Sequence, residues 1–549
     1  MKGKTFGLAF VLIVLSMVFS CTKEDTAESK KPEQTDVSSK TKPDTVIVRD
    51  TVLECDTVYV TDTVTVIQED TEPRILEFQL LESQNASNLI SNVYCEIIDD
   101  SLIEGWIPHI ASDKHFIPHF TSVGNVSINN SPVESDVTVV DFSRPIELRV
   151  DGESNSKTYQ VQIHAFTGLP VCWIDTDDGK DIYTKLNFKK GHIKIQEDVV
   201  TRSPGDVFEA DMQIRGRGNS TWDLPKKPYK VQFDNKESFL GMPSGRMWAF
   251  LANYADKSML RNRLAYYLGS ISRLSWTPRT RFAEVFLNGR YQGTYQIAEK
   301  VNVSKHRVDI GEDGFIMEID AYAPGEADAR YFRTKYLAQP INIKAPAVKM
   351  YDQKFNQAKS QIYEAETALY GSNFKDEETG WRKYFDEESM VEWYIINEIA
   401  KTWDAIRWSS TFMTWVPGEK ICMGPLWDYD IAFGNSESGG DGCDSRPQGF
   451  QIKNQPWISQ LFRDPYFVQL VKERYQYFYS KKSAIMAEIN ADANYLKLSV
   501  QENDNKWQVL YNHTWRNRDI WGSYMNEVEN LKEWLNIRMD WLKDQFDKM

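Results

Sequence analysis

The pattern of hydrophobic and polar positions divides this chain into regions with different predicted secondary structure. Between about residues 73 and 168, short runs such as 137–140 and 159–163 alternate in polarity and are separated by Asn, Ser, Asp and Gly turns. An alternation of period two predicts half-buried strands. We therefore expect a small immunoglobulin-like β-sandwich over 73–168. It shows no constellation of catalytic side chains, so a spacer is the simpler interpretation and a ligand-binding module the alternative.

A larger body is predicted from residue 169 to residue 549. Strand-like segments cluster before about residue 345, and Asn288 followed by Gly289 predicts a hairpin between two of them. Later segments such as 457–462 and 531–535 carry apolar residues at spacings of three and four, which predicts helices packed in a core. Strands first and helices second predict an α+β body with a β-rich N-lobe and a helical C-lobe, and the cleft between them is the expected site.

The N-terminal residues predict export. Lys2 and Lys4 precede an apolar run over 6–19, which ends at Ser20 and Cys21. The run is too short to span a membrane comfortably, so residues 1–20 read as a signal peptide. A small residue before a lone cysteine resembles a bacterial lipoprotein signal, with Cys21 as the acylated N terminus; an ordinary secretory signal is the alternative. We expect a lipid anchor in the outer membrane and a protein facing the cell surface or the periplasm.

Residues 21–72 have the composition of a linker. They are rich in Lys, Asp, Glu, Ser, Thr and Val and lack an aromatic core. Asp-Thr-Val recurs every six residues from Asp44 to Val64, and an even period keeps each residue type on one face of an extended chain. We interpret this segment as a stalk between the membrane and the sandwich.

Composition and charge exclude some classes of function. With 549 residues, 41% hydrophobic and 13% aromatic, the chain can fill two or three domains. A net charge of -15 argues against nucleic acid as a partner, because a phosphate backbone requires a basic surface. The six cysteines show no zinc-site spacing. Cys422 and Cys443 are placed to close a disulfide loop around an acidic motif, if they pair.

The candidate chemistry begins with that acidic motif. Asp428 and Asp430 lie two residues apart in 424–434, which we predict to be a strand, so both carboxylates share one face. Asp404 ends a predicted amphipathic helix upstream and opens a short loop. Three acids that converge on a cation and a nucleophile suit phosphoryl transfer, where the protein mainly positions groups and neutralises charge.

Phosphate binding also requires positive charge. Lys227 begins a predicted strand, and Lys230 lies on it, opposite the alternate residues that form its buried face. We expect one of these lysines to bind phosphate, and strand geometry favours Lys230. Arg215, Arg217 and Asn219 lie in a Gly-containing turn, which lets backbone and guanidinium groups approach an anion; a simple hairpin is the alternative.

Two further groups are candidates of a weaker kind. Asp256 and Arg261 stand at the start of a predicted helix, where capping explains them at least as well as chemistry does. Glu299 lies near the expected junction of the lobes, where it is placed to hold a lysine in the cleft or to line a nucleotide pocket; the end of a surface strand is the alternative.

Taken in order, the segments 215–222, 226–230, 256–262, 288–293 and 427–430 resemble the successive signatures of the CotH family. That family, named for spore coat protein H, comprises atypical kinase-like proteins of bacteria and some fungi. The resemblance covers 169–549. It implies an exported protein kinase that transfers the γ-phosphoryl group of ATP to a Ser or Thr hydroxyl of an unknown protein substrate, with Mg²⁺ or Mn²⁺ as the metal.

The resemblance also assigns roles. Asp404, 24 residues before Asp428, takes the place of the acid that orients the acceptor hydroxyl. Asp428 becomes the metal ligand, and Asp430 a second ligand or a brace. The resemblance favours Lys227 as the phosphate ligand, because the family pattern is tightest there. Where ordinary kinases place a metal-binding Asn five residues after the catalytic Asp, this chain has Ser409 and Ser410, so either Asp430 serves a second ion or one ion suffices.

The sequence thus favours a membrane-anchored Ser/Thr kinase and leaves two alternatives open. One is a non-catalytic, kinase-like adhesion lipoprotein that holds a glycan or a host protein, through the sandwich or through a vestigial cleft. The other is a hydrolase that uses the same carboxylates and metal. Transfer of labelled phosphate to an acceptor separates the kinase from both.

Overall fold

The computed structural model describes residues 72–89, 92–98, 100–108, 113–166, 168–197, 207–436, 444–514, 517 and 519–549, together with two short strands before them. Those strands, β1 (Thr45–Val46) and β2 (Val66–Ile67), pair antiparallel within the unit Met1–Asp70. Cys21, the predicted signal peptide and most of the Asp-Thr-Val repeat lie outside the described residues. Thr71–Met549 forms a second compact unit. No helix in the described ranges is both long and apolar enough to cross a membrane.

The region predicted to be a sandwich is built from sheets that share one core. A six-stranded sheet has the order β10-β9-β12-β13-β6-β5, a three-stranded sheet the order β4-β3-β8, and β11 pairs with β7. Phe78, Ile103 and Val161, which come from both larger sheets, are buried together. The strands are β3 (Arg74–Leu80), β4 (Val93–Tyr94), β5 (Glu96–Ile98), β6 (Leu102–Pro108), β7 (His115–Phe116), β8 (Pro118–Val123), β9 (Asn125–Ile128), β10 (Ser131–Pro132), β11 (Val140–Asp141), β12 (Ile146–Asp151) and β13 (Ser156–Phe166).

The two alternating runs used to predict this region have different outcomes. Residues 159–163 lie in β13, as predicted. The run 137–140 is a turn and an irregular segment that reaches a strand only at Val140, and Val137 and Val139 are both 59% exposed. Alternation alone did not distinguish the two, because an exposed loop and a half-buried strand both accept every second apolar residue.

The strands after residue 169 close into a seven-stranded barrel. Its order is β14-β15-β16-β17-β18-β20-β19, and β19 pairs in parallel with β14 to close it. The predicted hairpin is confirmed, with Asn288 and Gly289 both at positive φ between β19 and β20. The strands are β14 (Val171–Thr176), β15 (Lys189–Gln196), β16 (Val207–Gly216), β17 (Tyr229–Phe239), β18 (Met242–Leu251), β19 (Thr280–Leu287) and β20 (Arg290–Glu299).

A second sheet and the helices complete the body. The sheet has the order β22-β23-β21-β24-β25. Its strands are β21 (Phe315–Ile319), β22 (Tyr331–Arg333), β23 (Pro340–Ala345), β24 (Thr411–Trp415) and β25 (Cys422–Met423). The helices are α1 (Arg261–Ser270), α2 (Gln353–Tyr370), α3 (Glu387–Ala400), α4 (Pro456–Leu461), α5 (Pro465–Ser480), α6 (Lys482–Trp507) and α7 (Tyr524–Asp547). The α+β class is confirmed; the kinase-like two-lobed arrangement stays a prediction.

The sandwich packs against the barrel and α6. The Trp106 ring stacks on Tyr291 of β20, with ring centroids 5.2 Å apart, and the Tyr94 N–H donates to the Gly289 carbonyl at 2.9 Å. The Lys506 ammonium lies 2.7 Å from the Glu96 carboxylate. Aromatic stacking and ion pairs of this kind hold two surfaces in one arrangement. Among the described residues, side-chain packing therefore holds the sandwich against the rest of the body, in addition to the covalent connection of the backbone.

His164 gives this contact a predicted pH dependence. Burial lowers the pKa of His164, but hydrogen bonds to Glu104 and Glu502, at 3.2 and 3.3 Å, outweigh it and raise the pKa to about 9. Because the pKa is higher in the folded state than the ordinary value of about 6.5, the stabilisation is complete below pH 6.5 and is lost as the pH rises through 9. We expect His164→Gln to remove about 2 to 3 kcal/mol of pH-dependent unfolding free energy, measured by urea unfolding at pH 6 and pH 10. An unchanged pH dependence in the variant would contradict this assignment.

Candidate functional site

The acid-bearing segment after β25 is an irregular loop, so the predicted strand over 424–434 is wrong. Gly424 has φ +109°, Pro425 has no N–H to donate to a ladder, and Asp428 has φ +67°. Tyr429, between the two acids, is buried; its N–H donates to Asn262 Oδ1 at 2.8 Å. Its hydroxyl donates to Asn397 Oδ1 at 3.0 Å. Helices α1 and α3 thus fix the loop by its central tyrosine, with an acid on either side.

Asp404 lies in the loop between α3 and β24. The predicted helix is present, but it is buried on almost every side rather than amphipathic, and it ends at Lys401 in the left-handed region. The Asp404 carbonyl accepts the N–H groups of Arg407 and Trp408, at 3.1 and 2.8 Å. These bonds hold the loop in a turn that begins at the predicted catalytic acid.

Two of the predicted acids, Asp404 and Asp428, act on the ionisation of the third, Asp430. The pKa of Asp430 is raised well above its ordinary value, first by burial and then by the negative charges of Asp428, Asp404 and Asp256. Burial also raises the pKa of Asp428, against the charge of Arg217 and a hydrogen bond from Ser410. Such repulsion acts between carboxylates that are near one another. Asp404 and Asp428 thus lie near enough for their charges to act on Asp430, and we call these three residues the acidic cluster.

The donor chemistry of the acidic cluster suits a divalent cation. Across the described ranges, no three His, Cys, Asp or Glu side chains form a ready-made metal site. Mg²⁺ at a phosphoryl-transfer site keeps several waters and takes only one or two carboxylates, with substrate phosphates as the other ligands. Two neighbouring aspartates that repel each other fit this requirement, because a bound cation relieves the repulsion.

Ser410 is one of the two serines near the sequence position at which ordinary kinases have a metal-binding Asn. Its hydroxyl hydrogen-bonds Asp428, and its N–H donates to Glu318 Oε1 at 2.9 Å. Ser410 has φ +64°, a conformation that costs free energy outside glycine and is retained only where surroundings impose it. The hydroxyl thus acts on an acid of the cluster and holds Asp428 in place.

Arg217 joins the acidic cluster to a group of cations. Its guanidinium lies 5.7 Å from the centre of the Trp427 ring and lowers the pKa of both Asp428 and Asp430. On its other side lies Lys300, whose pKa is lowered to about 7 by burial and then by the charges of Lys230, Arg217 and Lys344. We call Arg217, Lys230 and Lys300 the basic cluster. The charge of Arg217 therefore acts both on the acidic cluster and on Lys300.

The charges of nearby carboxylates act on the basic cluster, Glu318 on Lys300 and Asp428 with Arg217, but in the described structure they form no hydrogen bond or ion pair with it. In the part of the chain that the structure describes, no hydrogen bond or ion pair satisfies the side-chain nitrogens of Arg217, Lys230 or Lys300; two of them lie over aromatic rings, Lys230 at 5.3 Å from Phe188. Lys344, by contrast, pairs with Glu318 at 3.0 Å. Cations held together without partners repel one another, and an anion bound among them removes that cost.

Lys300 was not singled out in the sequence. It follows Glu299 at the end of β20, and its neighbours come from β17 and from the second sheet. Successive residues of a strand face opposite sides, so a Glu299 that faced the cleft, as predicted, would place Lys300 on the opposite face. This alternation is the one feature of the sequence that could have identified Lys300 as a site residue.

The structure separates the two predicted lysines. Lys230 is on the half-exposed face of β17, opposite the buried Tyr229 and Val231, as predicted. The Lys227 ammonium instead donates to the Trp222 carbonyl at 2.8 Å and lies 5.4 Å from the centre of that ring. Of the two predicted lysines, Lys230 is thus the one whose ammonium has no hydrogen-bond partner among the described residues.

The glycine-containing turn connects β16 to β17. A Cβ at Gly216 would lie 2.3 Å from the Trp222 ring, and Gly218 has φ +88°. Arg215 donates to the carbonyls of Lys185 and Leu186 at 2.5 and 3.2 Å, while Asn219 is exposed at the start of a short 3₁₀ turn. The glycines serve close packing in this hairpin connection, and Arg217 is the member of the turn that reaches the acidic cluster.

The structure places Glu299 away from any lysine partner. Its fully buried carboxylate pairs with Arg279 through two bonds of 2.8 and 2.9 Å and lies 3.7 Å from Arg307. The prediction that it holds a lysine is therefore wrong, because two arginines already neutralise it. Asp256 accepts the Arg261 N–H at 2.9 Å and its guanidinium at 2.6 Å, which confirms the capping interpretation.

The structure describes one of the two cysteines of the predicted disulfide. Cys422 carries a free thiol, and Cys443 lies outside the described residues. Burial raises the pKa of the Cys422 thiol to about 11, which disfavours the reactive thiolate. The acidic loop is held instead by the hydrogen bonds of Tyr429 and by Asn435, which donates to the Asp430 carbonyl at 2.7 Å.

A search of the curated proteins finds no match. Among solved structures, a DUF4623 family protein from Bacteroides eggerthii is 8% identical, with 32% of this chain and 49% of that chain covered and a TM-score of 0.14. A putative glycoside hydrolase from Bacteroides thetaiotaomicron is 15% identical, with 51% and 76% covered and a TM-score of 0.15. The match thus spans about half the length of the first protein.

At such TM-scores these two likenesses carry no argument about fold or function. A family model described as CotH kinase protein, in contrast, matches residues 214–542, which include both the acidic and the basic cluster. That range covers more than half of the chain and agrees with the order of motifs from 215 to 430. The chain belongs to the CotH family.

Proposed function

We propose that this protein is an exported, lipid-anchored Ser/Thr kinase that transfers the γ-phosphoryl group of ATP to a hydroxyl of a protein substrate, with Mg²⁺ or Mn²⁺. One observation carries the proposal: three cations that form no hydrogen bond or ion pair in the described structure are linked electrostatically, through Arg217, to a group of carboxylates. A metal–nucleotide complex has the complementary charge pattern, with an anionic phosphate chain attached to a cation.

In this proposal the basic cluster binds the phosphates. Lys230 and Lys300 supply point charges, and the Arg217 guanidinium supplies a planar fork that bonds two phosphate oxygens at once. The ammonium groups repel each other, so an anion between them is stabilised both by attraction and by relief of that repulsion. Lys227 contributes to the position of the turn through Trp222.

The acidic cluster holds the metal and the acceptor. Asp428 and Asp430 would bind the divalent ion, which supplies charge neutralisation at the transferring phosphoryl group when bound. Ser410 keeps Asp428 oriented. Asp404 would accept a hydrogen bond from the acceptor hydroxyl and take its proton as the new O–P bond forms and the bond from the γ-phosphorus to the departing ADP breaks. The anchor at Cys21 and the position at the outer membrane rest on the sequence pattern and belong to the proposal.

The test is transfer of the γ-phosphate. The purified chain from Thr71 to its end is incubated with γ-labelled ATP, Mg²⁺ or Mn²⁺ and a generic Ser/Thr-rich acceptor protein. Label on the acceptor that requires the metal supports the proposal. Release of inorganic phosphate without acceptor labelling points to the hydrolase, and no nucleotide binding by folded protein points to the adhesion lipoprotein.

The two predicted lysines give an internal comparison. We expect Lys230→Ala to weaken MgATP binding about tenfold, because one charge-assisted contact to phosphate is worth roughly 1.5 to 3 kcal/mol. Lys227→Ala loses one bond to a backbone carbonyl and is expected to change affinity by less than about threefold. Calorimetric titration of both variants with MgATP measures this, and the opposite order of losses would return the role to Lys227.

A further inference from the structure

A cavity lies where the sandwich meets the barrel and α6, away from both clusters. It is lined by residues 76–78 and 94–98 of the sandwich and, on the other side, by 181, 290, 292 and 506–507. Its volume is about 700 Å³, in the range of ligand sites, which form preferentially between domains. We call it the junction cavity. Its ligand does not depend on the proposed kinase activity.

The junction cavity opens where one extended segment changes sheets. Tyr94 of β4 pairs with Gln79 of β3, and the Cys95 N–H donates to the Phe78 carbonyl at 3.0 Å. From Glu96 onward the segment pairs with β6 instead, and β5 is the last strand of its sheet. Strands β3 and β5 therefore share no ladder after this last bond, and residues of both line the cavity.

The separation leaves a strand edge beside the cavity. Successive amides of a strand point to opposite sides, so the N–H and C=O of Ile97 point to the same side as those of Cys95, away from β6. Along the described strands β5 pairs only with β6. An open edge of this kind is a template for another extended chain, and adding a strand to it is a common way of binding peptides.

The side chains around the edge indicate which peptide fits. Leu76 is 43% exposed, and Ile97 and Ile98 are half-buried, so the edge offers apolar contacts. Three carboxylates line the cavity against two cations, and the cations are already engaged: Lys506 lies 2.7 Å from Glu96, and Arg290 3.8 Å from Asp181. The remaining carboxylate, Glu77, hydrogen-bonds Gln79 and has no cationic partner among the described residues.

We propose that the junction cavity binds an extended peptide segment of a partner protein, added as a strand along Ile97. A basic residue of that segment pairs with Glu77, and apolar residues on either side of it contact Leu76 and Ile98. Backbone bonds supply affinity and the alternating side chains supply selectivity. The sandwich thus serves as a recognition module fixed to the body, rather than only as a spacer.

The probe is a fluorescein-labelled peptide, Thr-Val-Lys-Val-Arg-Val-Thr, and binding is followed by fluorescence anisotropy at low salt. We expect saturable binding to the Thr71-to-end chain. Two modified probes isolate the mechanism. N-methylation of alternate amides removes the backbone donors, and Glu in place of both basic residues reverses the charge; each change is expected to weaken binding at least about tenfold, or about 1.4 kcal/mol.

The matched variants are Glu77→Lys, in the junction cavity, and Glu153→Lys, on an exposed turn of the same sandwich. We expect the first to lose binding and the second to retain it, with unchanged circular dichroism in both. Absence of saturable binding up to about 1 mM, equal affinity for the N-methylated peptide, or displacement of the peptide by neutral dextran would overturn the proposal. None of these outcomes depends on phosphate transfer. A failure of the proposed peptide binding can therefore be distinguished from a failure of the proposed kinase activity.

Discussion

We expect the Asp428→Asn variant to lose metal-supported phosphoryl transfer, with kcat reduced by at least about 100-fold. The amide keeps the size and the hydrogen-bonding oxygen of the carboxylate but lacks its charge, so it binds a divalent cation weakly. The variant should also lose the thermal stabilisation that Mg²⁺ and ATP give to the wild type, since a ligand stabilises only the state that binds it.

The charge balance of the acidic cluster adds a second readout. Asp428 raises the pKa of Asp430 by repulsion, so removing its charge lowers the cost of ionising Asp430. Without metal we expect Asp428→Asn to be at least as stable as the wild type. The control is Asp492→Asn on α6; Asp492 pairs with Arg263 of α1 at 2.9 Å and belongs to neither cluster. Activity in Asp428→Asn equal to that of the control would remove Asp428 from the mechanism.

The Lys300→Met variant is expected to weaken MgATP binding by about tenfold or more. Methionine keeps the length and packing of the side chain and removes the ammonium, which forms no hydrogen bond or ion pair in the described structure. For the same reason the variant should be more stable than the wild type in the absence of nucleotide, because an enclosed and unpaired charge is costly. Loss of affinity together with gained stability is the expected signature of a ligand-binding cation.

Lys305→Met provides the comparison, because Lys305 is exposed a few residues further on. We expect it to leave both the affinity and the unfolding midpoint unchanged. Nucleotide affinity is measured by calorimetric titration and stability by thermal unfolding in the same buffer. If Lys300→Met binds MgATP as tightly as Lys305→Met does, the basic cluster is not the phosphate site.

Local patterns in the sequence were sufficient for several of these features. Alternation placed Lys230 on the open face of β17, and the Asn288 and Gly289 pair identified the hairpin, because both depend on residues adjacent in the chain. The convergence of the three acids followed from motif order rather than from local structure. Its physical basis lies in Tyr429, whose bonds to Asn262 and Asn397 join segments far apart in sequence.

Features that depend on distant pairing were not predictable in this way. The barrel closes through the parallel pair of β14 and β19, which are separated by more than 100 residues. Lys300 acquires its surroundings from β17 and from Lys344 on the second sheet, and Glu299 finds its partners in Arg279 and Arg307. The loop after Gly424 resembled a strand in polarity, but Pro425 and the positive φ of Asp428 exclude a ladder there.

The packing of the sandwich against the body also depends on residues distant in sequence and was not predictable. Its sequence contains strands and turns, and the residues that attach it, Trp106 and Glu96, look like ordinary strand positions. Their partners, Tyr291 and Lys506, lie in segments that the family pattern covers. Only the folded arrangement shows that the sandwich and the family region share an interface, and with it a cavity.

We expect the acidic and basic clusters to form one metal–nucleotide site. The most direct measurement is anomalous diffraction from crystals of the chain from Thr71 onward, soaked with Mn²⁺ and a non-hydrolysable ATP analogue. The account predicts an anomalous peak within coordination distance of Asp428 or Asp430, roughly 2.0 to 2.3 Å, with the phosphates against Arg217, Lys230 and Lys300. A peak elsewhere, or a nucleotide bound away from these residues, would contradict it.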